Sequence, residues 1–127
     1  MLIVEDEPGV CEILRETFKP IGFTVLTANN GQDALTIVKE DSPGLVFLDI
    51  RMLGMSGLEV LKEIKKIDPK TKVVMLTVLD DEKTKREAKR LGADDFVTKP
   101  FLSDHLEEVA RKQISELIKE GSPDAES

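Results

Sequence analysis

The chain has 127 residues, the size of one compact domain. Apolar residues make up 40% and charged residues 34%, so a core forms beneath a heavily charged surface, and disorder is expected only at the ends. The 25 acids and 18 bases give a formal charge of −7, which counts against direct nucleic-acid binding, because phosphate contacts need a basic face.

The rarer residues narrow the field further. One cysteine, Cys11, excludes an internal disulfide and a cysteine-rich zinc site, and fits a reducing compartment. One histidine, His105, argues against a histidine-based metal site or catalytic triad. Glu5-Asp6-Glu7 follows directly on the apolar start, so no signal-peptide core is expected. The longest apolar stretch, 73–79, is far too short to span a bilayer. A cytoplasmic protein without membrane contact is the expectation. Residues 61–99 carry 11 Lys/Arg against 8 Asp/Glu, a modest basic excess that reads as a solvated helix face.

In chain order, strand and helix signals alternate. Leu2–Val4 is a short apolar strand ending in acids. Pro8 suits a first helical position, with Asp6 or Glu7 as cap. Val10, Ile13, Leu14 and Phe18 follow at helical spacing, and Pro20 and Gly22 end the helix. Residues 23–28 alternate as a strand does, and Asn29-Asn30-Gly31 is a turn. Ala34, Leu35 and Val38 mark a second helix, closed by Ser42-Pro43-Gly44. Leu45-Val46-Phe47-Leu48 is a continuous apolar run ending at Asp49, as expected of a strand buried on both faces.

A loop with Gly54 and Gly57 leads to a helix carrying Leu58, Leu61, Ile64 and Ile67, broken by Asp68-Pro69. Residues 73–78 form another buried strand. The next helix, about 81–91, has only Ala88, Leu91 and Thr84 to bury, and Gly92 stops it. Residues 96–98 are a last short strand, followed by Lys99-Pro100. Ser103 or Asp104 caps a final helix with Leu106, Val109, Ala110, Ile114, Leu117 and Ile118 as its apolar face. Residues 1–120 read as the domain and 121–127 as a flexible tail or linker stub.

Five βα units of this length imply an α/β fold: a doubly wound, five-stranded parallel sheet with helices on both faces. The expected order is the flavodoxin-like 2-1-3-4-5. Ligands of such sheets bind beyond the carboxyl ends of the strands. Those ends carry Glu5, Asp6, Asp49, Thr77 and Lys99. Alone, each has an ordinary reading as a cap, a strand residue or an exposed charge. Together they form a coherent set. Clustered carboxylates repel unless a cation sits among them, and an oxygen-only donor set suits Mg²⁺. A carboxylate can attack phosphorus, while a lysine and a hydroxyl stabilise the transferring oxygens.

At this point the chain resembles the receiver domain of two-component response regulators, over roughly residues 1–120. The resemblance rests on Leu2-Ile3-Val4-Glu5-Asp6-Glu7-Pro8, Leu48-Asp49-Ile50-Arg51-Met52, Met55-Ser56-Gly57, Leu76-Thr77 and Gly92-Ala93-Asp94-Asp95-Phe96-Val97-Thr98-Lys99-Pro100-Phe101. It implies that Asp49 accepts a phosphoryl group from a sensor histidine kinase or phosphotransfer protein. Asp6 and Asp49, with Glu5 directly or through water, would hold Mg²⁺, or Mn²⁺ in its place, and the main-chain carbonyl of Arg51 would add a ligand. Lys99 would pair with the phosphoryl group, Thr77 would hydrogen-bond it, and Phe96 would switch in response. Lys99-Pro100 would be cis.

The resemblance further implies a phosphoacceptor that assists its own phosphorylation and dephosphorylation, rather than an enzyme acting on other substrates. Its output face would be the helix at 81–91, the last strand and the final helix. A phosphorylation-dependent homodimer through that face would set Lys83, Lys85, Arg86, Lys89 and Arg90 against Asp94, Asp95 and Glu116.

Some positions depart from the family pattern. Leu53 stands where Pro is common, Val78 where a small Ala is usual, and Glu5 where Asp is frequent. Arg51 and Leu79 occupy positions that tune phosphoryl lifetime, and Leu79 offers no polar group to orient water, so slow autodephosphorylation is expected. Phe96 lacks the hydroxyl of a Tyr.

Rival readings fare less well. An Asp-nucleophile phosphatase needs a second Asp two residues on, where Arg51 stands. A flavin site would be repelled by Glu5-Asp6-Glu7. The complete acid, Thr and Lys set argues against a pseudo-receiver that never takes phosphate. Cys11 and His105 read as packed and surface residues, and Met52 and Met55 as packing for the loop after Asp49.

Overall fold

The computed structural model describes residues 1–52, 54–77, 82–101 and 103–121. Strands and helices alternate throughout: β1 (Leu2–Val4), α1 (Pro8–Phe18), β2 (Leu26–Ala28), α2 (Gly31–Asp41), β3 (Leu45–Asp49), α3 (Gly57–Ile67), β4 (Lys72–Thr77), α4 (Glu82–Arg90), β5 (Asp95–Thr98) and α5 (Ser103–Gly121). The five strands form one parallel sheet of order β2-β1-β3-β4-β5, the expected doubly wound topology.

Strand periodicity divides the core into two layers. Successive side chains leave opposite faces of a strand. Ile3, Phe47, Val74, Leu76 and Val97 pack with Leu14 and Phe18 of α1 and Leu106, Val109 and Ala110 of α5. Leu2, Val4, Val46, Leu48, Val73 and Met75 pack with α2, α3 and α4. Both faces are covered, which is why β3 and β4 read as unbroken apolar runs.

Local chemistry sets the element ends. Pro8 occupies the first turn of α1, and Glu7 is the N-cap residue without a side-chain cap bond. A 3₁₀ turn at Lys19–Ile21 then ends at Gly22, whose φ of 100° is a left-handed value that glycine adopts freely. Asn30 caps α2 by accepting from Asp33 N–H at 2.8 Å. Ser56 caps α3 by accepting from Glu59 N–H at 3.3 Å.

Several elements differ from the sequence expectation. β2 begins at Leu26, because Phe23 N–H is drawn back to the Phe18 carbonyl and Phe23 packs against the end of α1. α5 already includes Ser103, so neither Ser103 nor Asp104 is a cap residue, and the preceding Leu102 lies outside the described residues. Ile118 is 52% exposed rather than core, while Leu117 lies against Gly44, where a Cβ would overlap its side chain. Gly121, expected in the tail, closes α5, and residues 122–127 lie outside the described residues.

Asp94 ties the lower edge of the sheet together. Its Oδ2 accepts from Lys65 Nζ and Val73 N–H, each at 2.9 Å, and Lys72 Nζ lies 3.7 Å from Oδ1. Its own N–H donates to the Val73 carbonyl. Lys72, expected just outside the strand, is buried within β4. Asp94→Ala would leave two largely buried ammonium groups without this carboxylate. Its expected cost is about 2–3 kcal/mol of unfolding free energy, read from urea denaturation. A loss below about 0.5 kcal/mol, the usual range for surface substitutions, would contradict this account of Asp94.

Candidate phosphoacceptor and metal site

Two neighbouring strands deliver the three acids. Glu5 and Asp6 follow β1, and Asp49 ends β3, which pairs directly with β1. One carboxylate oxygen of each lies within 4.8 Å of the others. Glu5 and Asp49 are buried and Asp6 is partly exposed, so the cluster opens to solvent on one side. A cleft of about 360 Å³ beside it is lined in part by Glu5, Asp6, Cys11, Asn29 and Asp33.

The remaining parts arrive through β4 and β5. Asp49 is in register with Leu76, which places Thr77 one residue further along the same sheet edge. Thr77 is 8% exposed, and its carbonyl accepts from Lys99 N–H at 2.7 Å. Lys99 enters above β5, and the Lys99–Pro100 bond is cis, as the resemblance implied. Its Nζ donates to Glu5 Oε1 at 2.6 Å and reaches Asp49 Oδ2 at 3.5 Å. The pocket thus gathers Glu5, Asp6, Asp49 and Lys99, with Thr77 alongside.

Asp49 is held from behind. Arg51 N–H donates to its Oδ1 at 3.1 Å, fixing the carboxylate while the Arg51 side chain is exposed. Gly57, first in α3, lies so close that a Cβ there would overlap the Asp49 carbonyl oxygen and crowd the Ile50 backbone. Only a residue without Cβ lets α3 start against this strand end. Glu5 is held in turn by Asp6 N–H, which donates to Oε2 at 3.1 Å.

Electrostatics follow from burial. Burial foremost, then the hydrogen bond with Asp49, push the Glu5 carboxyl up to about 8, against the opposing pull of Lys99. Burial opposes the Lys99 charge, but its hydrogen bond to Glu5 and the Asp49 and Glu5 charges outweigh it and raise the lysine above its ordinary value. Burial also pushes the Cys11 thiol up, so the residue is no activated nucleophile.

The other singled-out residues fall into place. Phe96 is partly buried, in register with Met75, and packs on the α4 side of the core. Met52 and Met55 pack against that same core, and His105 is exposed. Leu53, Val78 and Leu79 lie outside the described residues. The sequence reading missed two contacts: the Glu5–Lys99 pair and the Arg51 N–H to Asp49 bond. Neither has a sequence signal of its own, since the first joins residues 94 positions apart and the second uses backbone.

Fold and site define a class of acidic-pocket α/β domains, and comparison makes the family explicit. The chain belongs to the response regulator receiver domain family, which matches residues 1–111. It is 37% identical over 114 residues to sporulation initiation phosphotransferase F of Bacillus subtilis, covering 90% of this chain and 92% of that protein. It is 38% identical to regulatory protein AtoC of Escherichia coli, covering 90% of this chain but 25% of that longer protein. The crystal structure of the receiver domain of NtrX from Brucella abortus superposes with a TM-score of 0.86 at 36% identity, over 90% of this chain and 97% of that one. The chain is therefore a receiver domain of the two-component response regulator type.

Packing three carboxylates together costs stability when no cation is present. Asp49→Asn removes one charge while keeping an oxygen for the Arg51 N–H. In excess chelator this variant is expected to gain about 1 kcal/mol and to melt a few degrees higher than wild type. An unchanged or lower melting temperature would show that the cluster carries no such strain.

Proposed function

We propose that the domain carries a phosphoryl group on Asp49, received from a phosphohistidine on a sensor histidine kinase or phosphotransfer protein. The observation that carries this reading is the convergence of Glu5, Asp6 and Asp49 within 4.8 Å, with Lys99 bonded to the cluster. Asp49 Oδ attacks phosphorus, the P–N bond breaks, and the imidazole leaves with the bonding pair. Arg51 N–H fixes the carboxylate for that approach. Lys99 balances charge on the phosphoryl oxygens, and the Thr77 hydroxyl hydrogen-bonds one of them.

The donor set fits a hard divalent cation. It offers only oxygens, with three acids and one lysine, and no His or free thiolate. Glu5, Asp6, Asp49 and the Arg51 carbonyl would hold Mg²⁺, or Mn²⁺. Bound there, the ion supplies charge neutralisation for transfer between anionic groups. The chain takes and releases the group rather than turning over a separate substrate.

Output follows through the weakest helix. Among its described residues α4 fully buries only Ala88, so a small change at Thr77 can shift it. Phe96, packed beneath α4, moves with Thr77, and α4, β5 and α5 form the output face. A phosphorylation-dependent homodimer through that face remains part of the reading, but not through Asp94. That acid is engaged with Lys65 and Lys72 within the domain, and Arg90 pairs with Glu87 on its own helix. The setting is cytoplasmic; among the described residues no helix is long and apolar enough to cross a membrane.

Incubation with acetyl phosphate and Mg²⁺ tests the reading by intact mass. Wild type is expected to gain one phosphoryl group, and Asp49→Asn or chelated wild type none. No gain on wild type, or equal gain on the variant, would overturn the assignment.

A further inference from the structure

The closer of the two contacts that Lys99 makes in the pocket is not with the proposed acceptor. Lys99 Nζ lies 2.6 Å from Glu5 Oε1 but 3.5 Å from Asp49 Oδ2, the outer limit of a hydrogen bond. Both carboxylate side chains are almost wholly buried, at 0% and 6% exposure, so water does not level the difference. Glu5 is itself fixed, because Asp6 N–H holds Oε2 and leaves Oε1 facing the lysine. The extra methylene of Glu over Asp gives this carboxylate the longer reach.

A divalent cation and the Lys99 ammonium are rivals in this pocket. Both are attracted to the same acids, and two positive charges gathered in one buried pocket repel each other. A cation drawing on Glu5 Oε1 takes away the tighter of the two bonds that hold the lysine. Asp49 then becomes the nearest carboxylate left to it.

We propose that Glu5 is a positioning residue that keeps Lys99 from Asp49 until a divalent cation claims Glu5 Oε1 and releases the lysine towards the acceptor. The idea rests on the proposed reading of the pocket as a cation-dependent phosphoacceptor site. It makes delivery of Lys99 conditional on the cation, so that the pocket is completed only when loaded. It also makes Lys99 a built-in competitor of that cation.

Two measurements on the full chain test this, neither of them activity. The first is the affinity for MgCl₂ by titration calorimetry. Lys99→Met, which removes the rival charge at similar length, is expected to bind Mg²⁺ about tenfold more tightly than wild type. Lys99→Arg, which keeps the charge, is expected to stay near wild type. A purely structural role for Lys99 would move both variants together. The second is NMR of the Lys99 Nζ group and the side-chain carboxyl carbons.

In cation-free wild type, Nζ is expected to couple across a hydrogen bond to the Glu5 carboxyl carbon, and with Mg²⁺ this coupling disappears. In cation-free Glu5→Asp, whose carboxylate falls short, Nζ is expected to couple to Asp49 instead. This variant leaves Lys99 in place and keeps the test open if Lys99→Met does not fold. Normal Mg²⁺ binding by wild type, with unchanged or weaker affinity in Lys99→Met or with a Glu5 coupling that survives Mg²⁺, would overturn the proposal alone. Failure of wild type to bind Mg²⁺ at millimolar concentration would overturn the phosphoacceptor reading and this inference with it.

Discussion

Three carboxylates within 4.8 Å of one another are an unfavourable arrangement, and the rest of the pocket is organised around it. The sheet creates the crowding. β1 and β3 are adjacent, parallel and in register, so their carboxyl ends project Glu5, Asp6 and Asp49 to the same place. Lys99 enters from the far side of the sheet and offsets part of the charge, bonding Glu5 closely and Asp49 loosely. Burial of Glu5 and Asp49 makes the residual repulsion count. On the proposed function, such a site would favour added positive charge and, with it, an incoming phosphoryl group.

The scaffold keeps that arrangement rigid. β3 and β4 are buried along their whole lengths, and side chains from alternate positions lock into two separate helix layers. Close approach of Gly57 to the Asp49 carbonyl sets α3 directly against the strand end. Asp94 pins the opposite edge, drawing Lys65 of α3 and Lys72 of β4 onto the loop before β5. Against this background α4 is the least committed helix, with Ala88 its sole fully buried described residue. Rigidity at Asp49 and looseness at α4 are what the proposed switch requires.

Much of this was legible in the sequence, for identifiable reasons. Short continuous apolar runs between turn signals, such as Leu45-Val46-Phe47-Leu48, suit strands covered on both faces, and their alternation with amphipathic helices points to a parallel sheet. Asp49, Thr77 and Lys99 stood out because each lies at or near the carboxyl end of an expected strand. Less could be read where tertiary packing overrides local pattern. β2 lost its first residues to the Phe18–Phe23 contact, and Ile118 kept helical spacing yet emerged beyond the cover of the sheet. Lys72 looked like a solvated charge and is buried against Asp94. The preference of Lys99 for Glu5 over Asp49 depends on a difference of less than 1 Å between side chains, which no spacing rule encodes.

The central claim is that Asp49 itself, and not a neighbouring acid, bears the phosphoryl group. Borohydride reduction of the phosphorylated protein converts an acyl phosphate to an alcohol, and peptide mass spectrometry then locates the altered residue. The account predicts homoserine at position 49 alone. Reduction products at Glu5 or Asp6, or label at His105 or a hydroxyl residue with position 49 unchanged, would contradict it.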